Sequence, residues 1–209
     1  GSIDVDFGGG KQGFGIISWS GSVAVNGDIT GSIDVQLGIS HYSVGVYASK
    51  SVTVTGDISG SIYARGGSGS GFGIQAISGD VCVNQISGMV VGDCYNEIMA
   101  NSQSEASAIY AGGSIYGSYS DGAYTPIELS GTLSSTVGRN AAYTANAGDK
   151  VYINISGEGK ILAQSSYGAE FEGLEQPSNH LPISNNWGGA AAGAIGNDVQ
   201  ITPEGASET

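Results

Sequence analysis

The feature that most restricts this chain is an internal repeat. The run GSIDV at 1–5 returns unchanged at 31–35 and as GSIYA at 60–64. The approach to the next unit is GDIT (27–30), then GDIS (56–59), then QIS (85–87). In between lie GFGII (13–17), SVGVY (43–47) and GFGIQ (71–75), followed by SVAV (22–25), SVTV (51–54) and DVCV (80–83). The units span 1–30, 31–59 and 60–87, with lengths of 30, 29 and 28 residues.

Each unit holds three short stretches of alternating hydrophobicity separated by Gly-rich turns, the mark of strands with one buried side. In SIDV, Ile and Val fall on one side and Asp on the other. One three-stranded unit cannot close a core. Stacked units can, because each strand then pairs in parallel with its counterpart ~4.8 Å along and an aliphatic interior is buried. The expected fold is all-β: a parallel β-helix, or β-solenoid, of roughly triangular section. A β-sandwich of short strands would not demand a constant period with the same residues at the same corners. Composition agrees: 21 Ile and 15 Val stand against 6 Leu, which favours pleated surfaces over helices. Those aliphatics also argue against reading 37 Gly and 30 Ser as disorder.

The pattern decays beyond residue 87 but continues. VYINISGEGKILA (151–163) echoes VTVTGDISGSIYA (52–64), and IGNDVQI (195–201) echoes ISGDVCV (77–83). TPIELSGTL (125–133) carries the same corner. This predicts about six coils, at 1–30, 31–59, 60–87, 88–130, 131–156 and 157–202, in a single domain over 1–202. Coils 4 and 6 are long, with insertions near 116–126 and 173–190. Six coils would stack to about 29 Å. PEGASET (203–209) has no apolar partner and reads as a loose tail.

A net charge of −13 with 6 Lys+Arg has the wrong sign for nucleic acid or an anionic membrane surface. No apolar run approaches the ~20 residues that span a bilayer, and no signal peptide is visible. Membrane insertion is not expected of this segment. The sequence sets no oligomeric state.

Residues 22–35, 42–64 and 71–83 resemble the β-solenoid passenger regions of bacterial autotransporters and haemagglutinin-like surface proteins, which carry runs like GSVTVTGDISGSI and YGIYA. The resemblance covers roughly 1–87 and reports a coil architecture, not a catalytic signature. It implies a secreted or cell-surface bacterial protein, non-enzymatic, acting as an adhesin, stalk or display scaffold. The partner would be a host or environmental glycan or protein surface.

Several residue sets invite chemistry. Asp4, Asp34 and Tyr63 should form an outward column beside Arg65, one residue per coil. Polysaccharide-cleaving β-helix enzymes, lyases or glycoside hydrolases, build sites from such side chains on neighbouring coils, and stacked carboxyls fall near the separations that glycoside hydrolysis needs. An alternating strand nevertheless puts something polar outside at every second position. Asp28 and Asp57 occupy the same position in adjacent coils, where stacked carboxylates repel unless a donor or cation intervenes. Ca²⁺ would suit such oxygens, but the calcium-binding repeat pattern is absent and no other cofactor is expected. Glu170 and Glu172 share one side of a strand, a solvated face or an acid/base pair. Gly8–Gly13 matches G-x-G-x-x-G, yet a strand rather than a helix follows, so it reads as a coil corner. His41 and His180 complete no triad.

Cys82 should point outward between valines, and Cys94 lies early in the next coil. An inter-coil disulfide joining them is expected, provided the Cα atoms approach within ~7 Å. Aromatics gather where the repeat is interrupted: Tyr110, Tyr116, Tyr119 and Tyr124 in coil 4, and Trp187 in coil 6. Insertions on a rigid scaffold commonly bind, and such rings stack on sugars; they also serve to cover an interrupted coil. A carbohydrate-binding module without turnover is thus a further reading.

Overall fold

A computed structural model describes residues 1–7, 12–37, 42–66, 70–94, 105–137, 141–165, 169–172 and 191–203. Among these residues there is no helix; three parallel sheets carry the architecture. The first face stacks Ile3–Phe7, Ser32–Leu37, Ser61–Gly66, Met89–Cys94, Thr132–Val137 and Lys160–Ser165. The second stacks Gln12–Ser18, Tyr42–Ala48, Ser70–Ala76, Glu105–Ala111, Ala141–Ala147 and Ala191–Ile195. The third begins with Val23–Val25, Val52–Ile58 and Val81–Ile86. It continues through the split pair Ile115–Tyr116 and Ile127–Leu129, then Lys150–Ile155 and Asp198–Pro203. Each strand therefore pairs with the strand one coil further on, as the repeat demands.

The register is set by like residues meeting like. On the first face Ile3, Ile33, Ile62, Val90, Leu133 and Ile161 form one column. On the third, Val23, Val52, Val81, Ile115, Val151 and Val199 form another. The second contributes Ile16, Val46, Ile74, Ile109, Ala145 and Ala194. Apart from Ile3, which is exposed in the first coil, these columns converge in one aliphatic core. Burying each Val or Ile contributes roughly 1.5–3 kcal/mol, and a one-residue slip would turn every one of them outward. A small satellite of Cys94, Ala106, Ala142 and Ala163 sits apart from that core.

Corner glycines are required by close approach. Gly31, Gly60, Gly88 and Gly131 stack at the corner leading into the first face. A Cβ on Gly60 would lie 1.9 Å from the Gly31 carbonyl oxygen, and one on Gly88 equally close to that of Gly60. Those same carbonyls accept the N–H of Ser61 (3.2 Å) and Met89 (3.0 Å) in the next coil. Positive φ is not the reason there: among described glycines it occurs at Gly27, Gly122 and Gly157.

The long fourth coil is explained by an antiparallel hairpin, Ser118–Ser120 with Ala123–Thr125, which leaves the third face in mid-strand. Its turn residues Asp121 and Gly122 both have positive φ, 51° and 82°, which suits a two-residue hairpin loop. The column survives the interruption because Ile115 still pairs with Val81 and Leu129 with Ile86. In coil 6, Ala169–Glu172 pairs antiparallel with Lys160–Ser165 at the end of the first sheet. The expected insertion at 173–190 lies outside the described residues. The last strand reaches Pro203, opposite Ile155, one residue into the segment expected to be loose; 204–209 lie outside the described residues.

Replacing Gly60 with Ala should cost about 2–4 kcal/mol, because the methyl meets backbone that cannot give way without separating two coils. Gly21→Ala, whose Cβ would meet the Ser18 hydroxyl at 3.3 Å, should cost far less. Denaturant unfolding of both variants checks this; equal losses would contradict the close-approach account.

Candidate functional site

The first face brings the expected polar set together. Asp4 pairs with Asp34, Asp34 with Tyr63, and Arg65 lies two residues on, in the column with Gln36. Sequence reasoning missed the member that completes this cluster, Asp93, which pairs with Arg65 one coil further on. The Tyr63 hydroxyl donates to Asp93 Oδ2 at 3.3 Å, the Arg65 guanidinium lies 5.2 Å from the Tyr63 ring centroid, and Gln36 Nε2 donates to Asp34 Oδ2 at 3.0 Å. Burial, reinforced by the Asp93 charge, pushes the Tyr63 phenol up to about 12. Burial also raises Asp93, against the opposing pull of Arg65, Tyr63 and Thr136. Asp34 and Asp93 stand two coil steps apart, roughly 10 Å along the stack, with Tyr63 and Arg65 between them. Tyr63, Arg65 and Asp93 form a packed charge and hydrogen-bond cluster, and the carboxyls of Asp4 and Asp34 belong to residues paired directly across one coil step beside it.

Asp28 and Asp57 do stack, and the donor between them is backbone. Asp28 Oδ1 accepts the Asp57 N–H at 2.9 Å, and Asp57 Oδ1 accepts the Ser87 N–H at 3.0 Å. A parallel ladder climbs the opposite corner of the third face: Ser22 accepts from Ser51, Ser51 from Asp80, and Asp80 from Ser114 at 2.8 Å. Each short polar side chain thus caps the N–H of the coil above, a task that Ser and Asp perform in turns. Among the described residues no three His, Cys, Asp or Glu converge as metal ligands.

The expected disulfide is not made. Cys82 lies on the third face and Cys94 ends a strand of the first, so the solenoid section separates them; both are thiols. The Cys82 thiol donates to the Gly117 carbonyl at 3.0 Å, and burial, then the charge of Asp80, raises it. Spacing along the chain does not show which face each cysteine occupies, and twelve residues carry the chain from the third face to the first. His41, His180, Trp187 and Gly8–Lys11 lie outside the described residues. Glu170 and Glu172 sit on the antiparallel strand, opposite Gln164 and Leu162.

Of the five aromatics read as ligand-binding, the hairpin gathers three. Tyr124 packs 4.8 Å from Tyr116 and 4.7 Å from Tyr119 between ring centroids, and Tyr152 of coil 5 joins at 5.8 Å. Tyr119 and Tyr124 are exposed. The hairpin base is fixed: the Gly117 N–H donates to the Thr125 carbonyl at 2.8 Å, and the Ser118 and Thr125 hydroxyls lie 2.7 Å apart. The Tyr116 hydroxyl donates to Asp80 Oδ2 at 3.1 Å and the Tyr152 hydroxyl to Asp198 Oδ2 at 2.6 Å. Beside the hairpin opens a cleft of ≈ 350 Å³ lined by Tyr124, Pro126, Tyr152, Gln200 and Thr202.

Tyr110 stands elsewhere, on the second face, 5.7 Å from Phe72. It ends a stripe that sequence reasoning missed: Trp19, Phe14, Tyr47, Tyr42 and Phe72 follow with centroid spacings of 5.1–6.0 Å. Aligning GFGII, SVGVY and GFGIQ by coil does not show it, since Val44 falls between Phe14 and Phe72 and the rings of Trp19, Tyr42 and Tyr110 lie outside those runs. Comparison with known protein families, with curated proteins and with solved structures finds no match.

The raised Asp93 carboxyl has a stability consequence. The native state holds its proton more tightly than the unfolded chain, so the stability that Asp93 contributes is greatest below its ordinary pKa and is lost as pH rises through the native one. Asp93→Asn abolishes this term. Its melting temperature relative to the parent should therefore rise between pH 4 and pH 7; a difference that is flat or falls contradicts the burial account.

Proposed function

We propose that this chain is a non-catalytic β-solenoid scaffold, secreted or at a bacterial cell surface, that works as an adhesin or display module. The observation that carries this reading is the hairpin at 118–125. It interrupts a parallel stack whose core columns continue beneath it, and it gathers Tyr116, Tyr119 and Tyr124 beside Tyr152. A stacked frame keeps such a loop in place at little entropic cost on binding, and tyrosines offer large contact area with few rotatable bonds. The interwoven Tyr63, Arg65 and Asp93 of the first face are accounted for as surface cohesion between coils.

Beads coated with the protein should be retained on a panel of mucin, matrix protein and polysaccharide surfaces. Replacing 118–125 with a short Gly-Ser turn should abolish retention, with no reducing or unsaturated ends released by either form. Release of such ends, lost on Asp34→Asn, would instead establish a polysaccharide-active enzyme working at the first face.

A further inference from the structure

We infer that the cleft lined by Tyr124, Pro126, Tyr152, Gln200 and Thr202 is a subsite for an uncharged sugar unit of a neutral oligo- or polysaccharide. This rests on the reading of the hairpin as the contact surface and names the chemistry it accepts. The cleft has a floor and a wall made by different parts of the chain. The floor is the outer side of coils 5 and 6, where Tyr152 pairs with Gln200 and Asn154 with Thr202. The wall is the hairpin's return strand, Tyr124 and then Pro126.

Five observations select the ligand. The volume of ≈ 350 Å³ is that of a small-molecule site, and a concave one, where a protein partner would ask for a broader surface. Two of its lining rings, Tyr124 and Tyr152, pack together 5.8 Å apart between centroids and inclined at 58°. An aromatic face carries negative charge density and attracts the polarised C–H groups on the flat side of a pyranose. The Tyr152 phenol is held by Asp198, which is itself 3.6 Å from Lys150, so the ring is oriented before any ligand arrives. In addition, Gln200 and Thr202 are exposed; the Gln200 side chain hydrogen-bonds Asp198 and keeps further amide capacity, and Thr202 adds a hydroxyl, groups suited to sugar hydroxyls. Asp198, and Glu128 bound by Asn154 at 2.7 Å, put carboxylates beside the cleft, and the chain carries a net charge of −13. Uronates, sulfated and sialylated glycans are repelled; a neutral glycan is not.

The test is a titration of the full chain, followed by backbone amide NMR, with neutral hexasaccharides: β-1,4-glucan, α-1,4-glucan and β-1,4-linked N-acetylglucosamine. Oligogalacturonate is the anionic comparison. At least one neutral hexamer should shift the Tyr152, Gln200 and Thr202 amides saturably, and oligogalacturonate should not. Gln200→Ala and Tyr152→Ala should each weaken that binding about tenfold or more, with Gln200→Ala, on an exposed site, leaving the remaining spectrum in place. No saturable shift with any neutral hexamer, preference for oligogalacturonate, or undiminished binding by both variants overturns the inference. Tyr119, outside the cleft, separates the two readings. If Tyr119→Ala abolishes retention on a protein surface while no saccharide moves the cleft amides, the hairpin reading stands and the sugar subsite falls. If hairpin replacement leaves retention intact, the hairpin reading itself falls.

Discussion

The structure depends on hydrogen bonds between backbone groups one coil apart. The Val23 N–H donates to the Ser51 carbonyl, Val52 to Asp80 and Val81 to Ser114, each at 2.9 Å. Such bonds tie residues far apart in sequence, so every position must be compatible with its copy in the coil above and the coil below. Aliphatics inside meet aliphatics, which keeps the columns free of voids. Side chains at corners meet backbone, so those positions must be glycine or must be short and able to accept an N–H. The repeat at 1–87 follows from that requirement.

The same requirement explains where variation is tolerated. A strand may be broken on its outer side provided that its inward residues still reach their columns. Ile115 and Leu129 do so on either side of the hairpin, and Gly117 permits the tight exit, since a Cβ there would lie 2.1 Å from the Pro126 carbonyl oxygen. The loop that leaves the stack is thereby anchored by it: Tyr124 packs on Tyr116 and Tyr152, whose hydroxyls are held by Asp80 and Asp198 of the stack. The exposed tyrosines and the packed core are thus separated along a single coil.

Much of the fold was legible because parallel stacking writes itself as periodicity. The expected coil starts at 31, 60, 88 and 131 fall next to the first-face strands at Ser32, Ser61, Met89 and Thr132. The insertion near 116–126 is the hairpin, whose turn is Asp121-Gly122 between tyrosine-bearing strands. What escaped was lateral information. Asp93 joins Tyr63 and Arg65 only when VVGDC is aligned beneath SIYARG, and the divergent fourth coil hides that alignment. Cys82 and Cys94 are close in sequence yet occupy different faces. Asp28 and Asp57 read as a repelling pair because a sequence displays carboxylates and leaves the intervening N–H groups out of view.

The most direct test of this account is detection of scalar couplings across backbone hydrogen bonds in ¹⁵N,¹³C-labelled protein. The account predicts couplings from the Val23 nitrogen to the Ser51 carbonyl, Val52 to Asp80 and Val81 to Ser114. Couplings confined to partners within a single repeat unit, as in a meander of hairpins, would contradict parallel stacking. The columns, the corner ladders and the anchored hairpin would fall with it.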